Sequence, residues 1–154
     1  MPIIDIDLAD YPISDANIDG TGWMLNESAQ YTAVSAVAEL KIANSNLNGS
    51  GTLATLISGG SNGTFIKTFT IASEVNNSQG MIRLFLTTPG GSGVTMLLME
   101  IEVFPLPQSS ATLAGYRQSV NLGFNLQSGY TIKASTEFGD IYGITMEGLE
   151  WKYP

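Results

Sequence analysis

Met81-Ile82-Arg83-Leu84-Phe85-Leu86, a Pro89-Gly90-Gly91-Ser92-Gly93 turn, and Thr95-Met96-Leu97-Leu98-Met99-Glu100-Ile101-Glu102-Val103 decide the fold. In the second run, Leu97, Met99, Ile101 and Val103 alternate with Met96, Leu98, Glu100 and Glu102. In the first, Ile82, Leu84 and Leu86 alternate with Met81, Arg83 and Phe85. A period of two is the signature of strands with one face in a core. Residues 64–71, following the Asn62-Gly63 turn, form a third strand. Their apolar phase slips between Ile66 and Phe69, which a bulge near Lys67-Thr68 explains. The expectation is a three-stranded antiparallel meander over residues 62–103, with the flanks supplying an opposing sheet. Its expected core includes Ile82, Leu84, Leu97, Met99, Ile101, Ile132 and Ile144.

Outward from this centre the same signal recurs. Residues 31–42 permit a helical face of Ala33, Ala36, Val37 and Leu40, but Thr32, Val34, Val37 and Ile42 favour a strand. Residues 52–57, 116–124, 131–135 and 141–147 read as further strands, separated by turns rich in Gly, Asn and Ser. Pro105 and Pro107 end the central ladder, because proline cannot donate to it. Short strands with turn signals every 8–12 residues predict an all-β antiparallel sandwich, jelly-roll-like, of about eight to ten strands. Residues 1–30 stand apart as an acidic N-terminal arm or edge segment, and residues 31–154 form the sandwich domain. Within the arm, residues 2–8 alternate as a short edge strand.

Composition excludes much chemistry. The chain has no Cys and no His. A disulfide framework, a thiolate site and any triad built on His are ruled out. Charged residues are 13% of the chain, about half the usual share. The net charge is −8; residues 1–30 carry Asp5, Asp7, Asp10, Asp15, Asp19 and Glu27 with no base, leaving −2 for the remainder. An acidic chain without a basic patch is a poor nucleic-acid binder. No apolar run reaches the ~18 residues of a membrane span, and the N-terminus lacks the regions of a signal peptide. Neither nucleic acid nor a membrane is expected as a partner.

Few motifs carry candidate chemistry. Asp15, Asn17 and Asp19, followed by Gly20, match the first half of a calcium loop. Position 12 of that loop is Asn26 instead of Glu, with Glu27 one residue late, so an Asx-rich surface loop is the expectation. The Gly-rich segments are hairpin turns, since none leads into Lys-Ser/Thr and a helix. Glu100 and Glu102 sit at i, i+2 on what reads as a solvated strand face, a poor arrangement for a glycosidase pair. The four Asn-x-Ser/Thr sequons arise readily in a chain with 39 Ser, Thr and Asn residues. No enzyme activity, cofactor or resident metal is expected. Aromatic and apolar residues near the ends, Tyr11, Trp23, Met24, Leu25, Trp151 and Tyr153, are candidate partner-binding anchors, with Tyr31 beside them. Packing of these residues on their own domain is the simpler reading.

One series of segments carries a resemblance. It runs through Asn62-Gly63-Thr64, Gly80-Met81-Ile82-Arg83-Leu84-Phe85 and Leu98-Met99-Glu100-Ile101 to Leu126-Gln127-Ser128-Gly129-Tyr130-Thr131-Ile132-Lys133-Ala134-Ser135-Thr136. This order resembles the small β-sandwich structural proteins of tailed bacteriophages, which recur as capsid-associated, head-fibre or tail components. The likeness covers roughly residues 45–148. The end of the chain, Gly148-Leu149-Glu150-Trp151-Lys152-Tyr153-Pro154, departs from the Gly-Gly-Asp-Phe/Tyr-like close of that family. The resemblance implies a non-enzymatic virion protein, assembled in the host cytoplasm. Its place would be the outer capsid surface, as an auxiliary or decoration protein. Its partners would be the major capsid protein or other virion proteins, and self-association is compatible with it. The alternative is a receptor- or carbohydrate-binding module of a head fibre or tail. No catalytic residue is implied.

Overall fold

The computed structural model describes residues 31–90 and 93–152. Asp15, Asn17, Asp19, Tyr11, Trp23, Met24, Leu25 and Tyr153 lie outside the described residues. Eight strands are formed: β1 (Tyr31–Leu40), β2 (Ala54–Ser58), β3 (Thr64–Ser73), β4 (Gly80–Thr87), β5 (Thr95–Val103), β6 (Arg117–Leu126), β7 (Thr131–Thr136) and β8 (Tyr142–Trp151). They make two four-stranded antiparallel sheets, ordered β1-β8-β3-β6 and β2-β7-β4-β5. The first strand pairs with the last, the second with the seventh, the third with the sixth and the fourth with the fifth. Successive pairs fall in alternate sheets, as when one long hairpin is rolled up. This is the jelly-roll form of the β-sandwich.

The expected meander is corrected by this topology. Only β4 and β5 remain partners; β3 lies in the other sheet, between β8 and β6. The reason is the apolar face of β3. Ile66, Phe69 and Ile71 must meet an opposing layer, and a neighbour within the same sheet cannot supply one. The connection over residues 74–79 spans the ~10 Å between sheets. It sets that face against Ile82 and Leu84 of β4, and all five residues belong to one buried cluster.

Strand alternation fixes most of the core. Ile82, Leu84, Ile101, Ile132 and Ile144 are buried and Met99 packs partly buried against them. Leu97, expected inside, is 39% exposed. The β4–β5 register explains this: Leu84 faces Met99 but Phe85 faces Leu97, so Leu98 is an extra residue. A bulge of this kind reverses the parity of everything on one side of it. The bulge expected near Lys67-Thr68 is present, since both ladders of β3 shift between Ile66 and Thr68.

The face of β4 expected to meet solvent is covered. Phe85 and Arg83 are 0% and 6% exposed. The β1–β2 connection, residues 41–53, approaches Phe85 at Gly49, and its Ile42, Thr52 and Leu53 line a pocket with Ser135, the ladder partner of Arg83. A Cβ on Gly49 (φ +75) would stand 2.2 Å from Thr95 Cγ2 and 3.6 Å from the Phe85 ring, so only glycine lets the loop approach this closely. Asn44 holds the loop in shape. Its Nδ2 donates to the carbonyls of Ser50 (2.8 Å) and Thr52 (2.9 Å), and its Oδ1 accepts from Asn46 N–H. The Asn44 N–H donates to the Thr136 carbonyl at 2.8 Å.

Candidate functional site

The acidic residues are arranged for structure. Among the described residues, no three Asp or Glu gather closely enough to hold a metal ion. Glu100 accepts from Arg83 Nε at 2.8 Å, and Glu102 accepts from Gln79 Nε2 at 2.9 Å. In the ladder Glu100 stands opposite Arg83 and Glu102 opposite Met81, one strand away.

A groove of about 400 Å³ lies at one end of the sandwich. Three separate segments build it: Ser61, Asn62 and Gly63 from the β2–β3 turn, Asn125 to Ser128 from the β6–β7 turn, and Trp151 at the end of β8. Backbone bonds stitch these together. Gly59 N–H donates to the Tyr130 carbonyl at 2.8 Å, Gly129 N–H to the Gly59 carbonyl at 3.2 Å, and Trp151 N–H to the Gly63 carbonyl at 3.2 Å. Asn62 Nδ2 donates to the Trp151 carbonyl at 3.3 Å. The Trp151 ring, on a residue 37% exposed, meets Tyr31 edge-on, with centroids 6.2 Å apart at 84°. Of the expected anchors among the described residues, Trp151 therefore packs on its own domain and still presents surface. Among the described residues no charged side chain lines the groove.

A second surface runs along β5. This strand pairs only with β4 among the described residues, which leave its other edge without a partner. It exposes Met96, Leu97 and Leu98, with Val94 before it and Phe104 and Leu106 after it. Asn77, itself buried, fixes the segment beyond β5: its Nδ2 donates to the Phe104 carbonyl at 2.7 Å and its Oδ1 accepts from Leu106 N–H at 3.3 Å. Three consecutive exposed apolar residues on a free edge are an association surface unless something covers them.

Near this surface two phenols hold their protons tightly. Burial pushes Tyr142 up to about 12, and the Asp140 carboxylate adds to the shift. Burial raises Tyr116 as well, with the Glu102 charge second. An unfolded Tyr titrates near pH ~10. A raised pKa in the fold adds stability that is complete below about pH 10 and lost as pH climbs toward about 12. Thermal melts should therefore be level up to about pH 10 and fall above it, with a shallower fall in Tyr142→Phe. Parallel curves for the two proteins would show that Tyr142 contributes nothing to the fall.

No protein-family model matches the sequence, and no curated protein matches it. Among solved structures, the chain is similar to the CBM22-1 and GH10 modules of an N-terminal endo-1,4-β-D-xylanase from Clostridium thermocellum, complexed with xylohexaose. Identity is 7% and the TM-score 0.43, over 80% of this chain and 26% of that one. The chain thus spans about a quarter of the xylanase chain's length. It is also similar to a chain of the cyanophage Pam1 capsid asymmetric unit, at 11% identity and a TM-score of 0.40, over 96% of this chain and 99% of that one.

Proposed function

We propose that this chain is a non-enzymatic structural protein of a tailed-phage particle, an auxiliary or decoration protein seated on the outer surface of the capsid. The observation that carries the reading is the apolar edge of β5, unpaired among the described residues, where Met96, Leu97 and Leu98 stand exposed. Covering what these side chains leave exposed, a little under half of each, contributes on the order of 1 kcal/mol each, against roughly 1.5–3 kcal/mol for full burial. Jelly rolls serve as capsid and lectin domains, and the segments from Asn62 to Thr136 resemble those of phage structural proteins. The major capsid protein is the partner this reading names. The acidic arm, residues 1–30, would steer the chain to a basic patch on the shell, with Tyr11, Trp23, Met24 and Leu25 as its anchors. A second reading, a carbohydrate-binding module of a head fibre or tail, is favoured by the Trp151 groove.

Rebinding of purified protein to particles stripped of it tests the first reading. The intact chain should decorate the particles, and Leu98→Lys should weaken decoration. The chain lacking residues 1–25 should keep its melting temperature and fail to rebind. Decoration unaffected by Leu98→Lys removes the edge from the reading. A truncated chain that unfolds, or that still decorates, removes the docking arm.

A further inference from the structure

We propose that the groove at the Trp151 end of the sandwich binds a neutral oligosaccharide. The inference deepens the second reading and is independent of capsid attachment, so either can fail alone. Three observations converge on it.

First, the chemistry of the lining matches a sugar. A hydroxyl both donates and accepts, and a planar amide offers both functions from one group. Asn125, Gln127 and Ser128 line the groove, and their side chains have no hydrogen-bond partner among the described residues. The Trp151 indole supplies an apolar face with a negative quadrupole, which suits the C–H face of a pyranose ring. Its N–H provides one more donor.

Second, the groove is pre-formed. The bonds from Gly59, Gly129 and Trp151 lock the two turns and the end of β8 into one rim, and Tyr31 fixes the indole from its edge. Little ordering remains to be done on binding, which is where a weak polar ligand loses most of its affinity. The volume, about 400 Å³, lies within the ~300–1,000 Å³ range of small-molecule sites. A protein partner needs a larger and more apolar surface, and the β5 edge is the place that offers one.

Third, the charge selects the sugar class. Among the described residues no charged side chain lines the groove. A groove without a cation offers no counter-charge to the carboxylate or sulfate of a uronate, sialoside or sulfated glycan. Neutral hexose and pentose polymers need none.

The test uses the full chain with Trp23→Phe, which leaves Trp151 as the sole indole. Fluorescence titrations with maltohexaose, cellohexaose, xylohexaose and mannohexaose, up to about 10 mM each, are compared with a polygalacturonate oligomer. At least one neutral hexamer should shift the emission saturably and the polygalacturonate should not. Trp151→Ala, followed by calorimetry, and Gln127→Ala should each weaken binding about tenfold or more, with circular dichroism unchanged. Leu98→Lys, at a residue that does not line the groove, should bind as the parent does. Three results would overturn the proposal: no neutral hexamer binds, only the acidic oligomer binds, or binding survives both groove substitutions. Binding that emerges only after removal of residues 1–25 would also overturn it, because the groove would then be the seat of the chain's own arm.

Discussion

Phe69→Ala should destabilise the domain by about 3–5 kcal/mol, a large share of the ~5–15 kcal/mol available to a domain of this size. Phe69 is fully buried in β3, with Met146 of β8 and Val120 of β6 as its register partners. Its position depends on the bulge just before it, which restores the inward phase lost after Ile66. β3 is held by ladder bonds to β8 on one side and β6 on the other, so the backbone cannot collapse into the space left by the ring. The loss is then the transfer energy of the ring plus that of the cavity. Denaturation in guanidinium chloride measures it as a lower midpoint at constant slope. Val37→Ala, at a site 78% exposed on β1, should stay within about 0.5 kcal/mol and serves as the reference. A loss at Phe69 below about 1.5 kcal/mol would mean that the two sheets do not close on this side chain.

The bulge at Phe69 was legible because an inward Ile66 and an inward Phe69 cannot share one strand parity. The bulge at Leu98 was not. Leu97, Met99, Ile101 and Val103 form an unbroken alternation, and nothing in it announces that Leu97 belongs to the opposite face. Local pattern reports the period of a strand and is silent about which strand it will pair with. That is why residues 64–71, 81–86 and 95–103 read as neighbours although the first joins the other sheet. Turn-rich segments hide their tertiary role in the same way. Asn44 to Gly51 reads as a polar turn, yet it covers Phe85 and turns an apparent solvent face into a second buried layer. The groove was out of reach for a related reason. Trp151 was visible as an aromatic near the end, but Asn62 and Gln127 read only as turn residues until β8 brought them together. The readings on Asp15, Asn17, Asp19, Tyr11, Trp23, Met24, Leu25 and Tyr153 fall outside the described residues.

Glu100→Ala should lose about 2–4 kcal/mol, far more than an exposed ion pair returns. The Arg83 side chain is only 7% exposed, while Glu100 is 41% exposed. The carboxylate therefore reaches the buried guanidinium from the solvent side and holds Nε at 2.8 Å. Nothing else among the described residues neutralises that cation. Arg83 Nη1 is buried without a hydrogen-bond partner, and so is the Oγ of Ser135, which stands opposite Arg83 in the β4–β7 ladder. Removing the carboxylate leaves a desolvated charge with one fewer bond, and an uncompensated buried charge is more damaging than the pair is helpful. Removing both partners should then restore much of the loss. Arg83→Met with Glu100→Ala keeps an unbranched chain in the buried site and carries no charge, so it should be more stable than Glu100→Ala alone. The two single substitutions and the double one complete a cycle whose coupling energy isolates the pair. Burial also predicts that the loss persists in 1 M salt, where exposed pairs are screened over about 3 Å. A loss below about 1 kcal/mol that vanishes in salt would place the Arg83 guanidinium in water and overturn its burial.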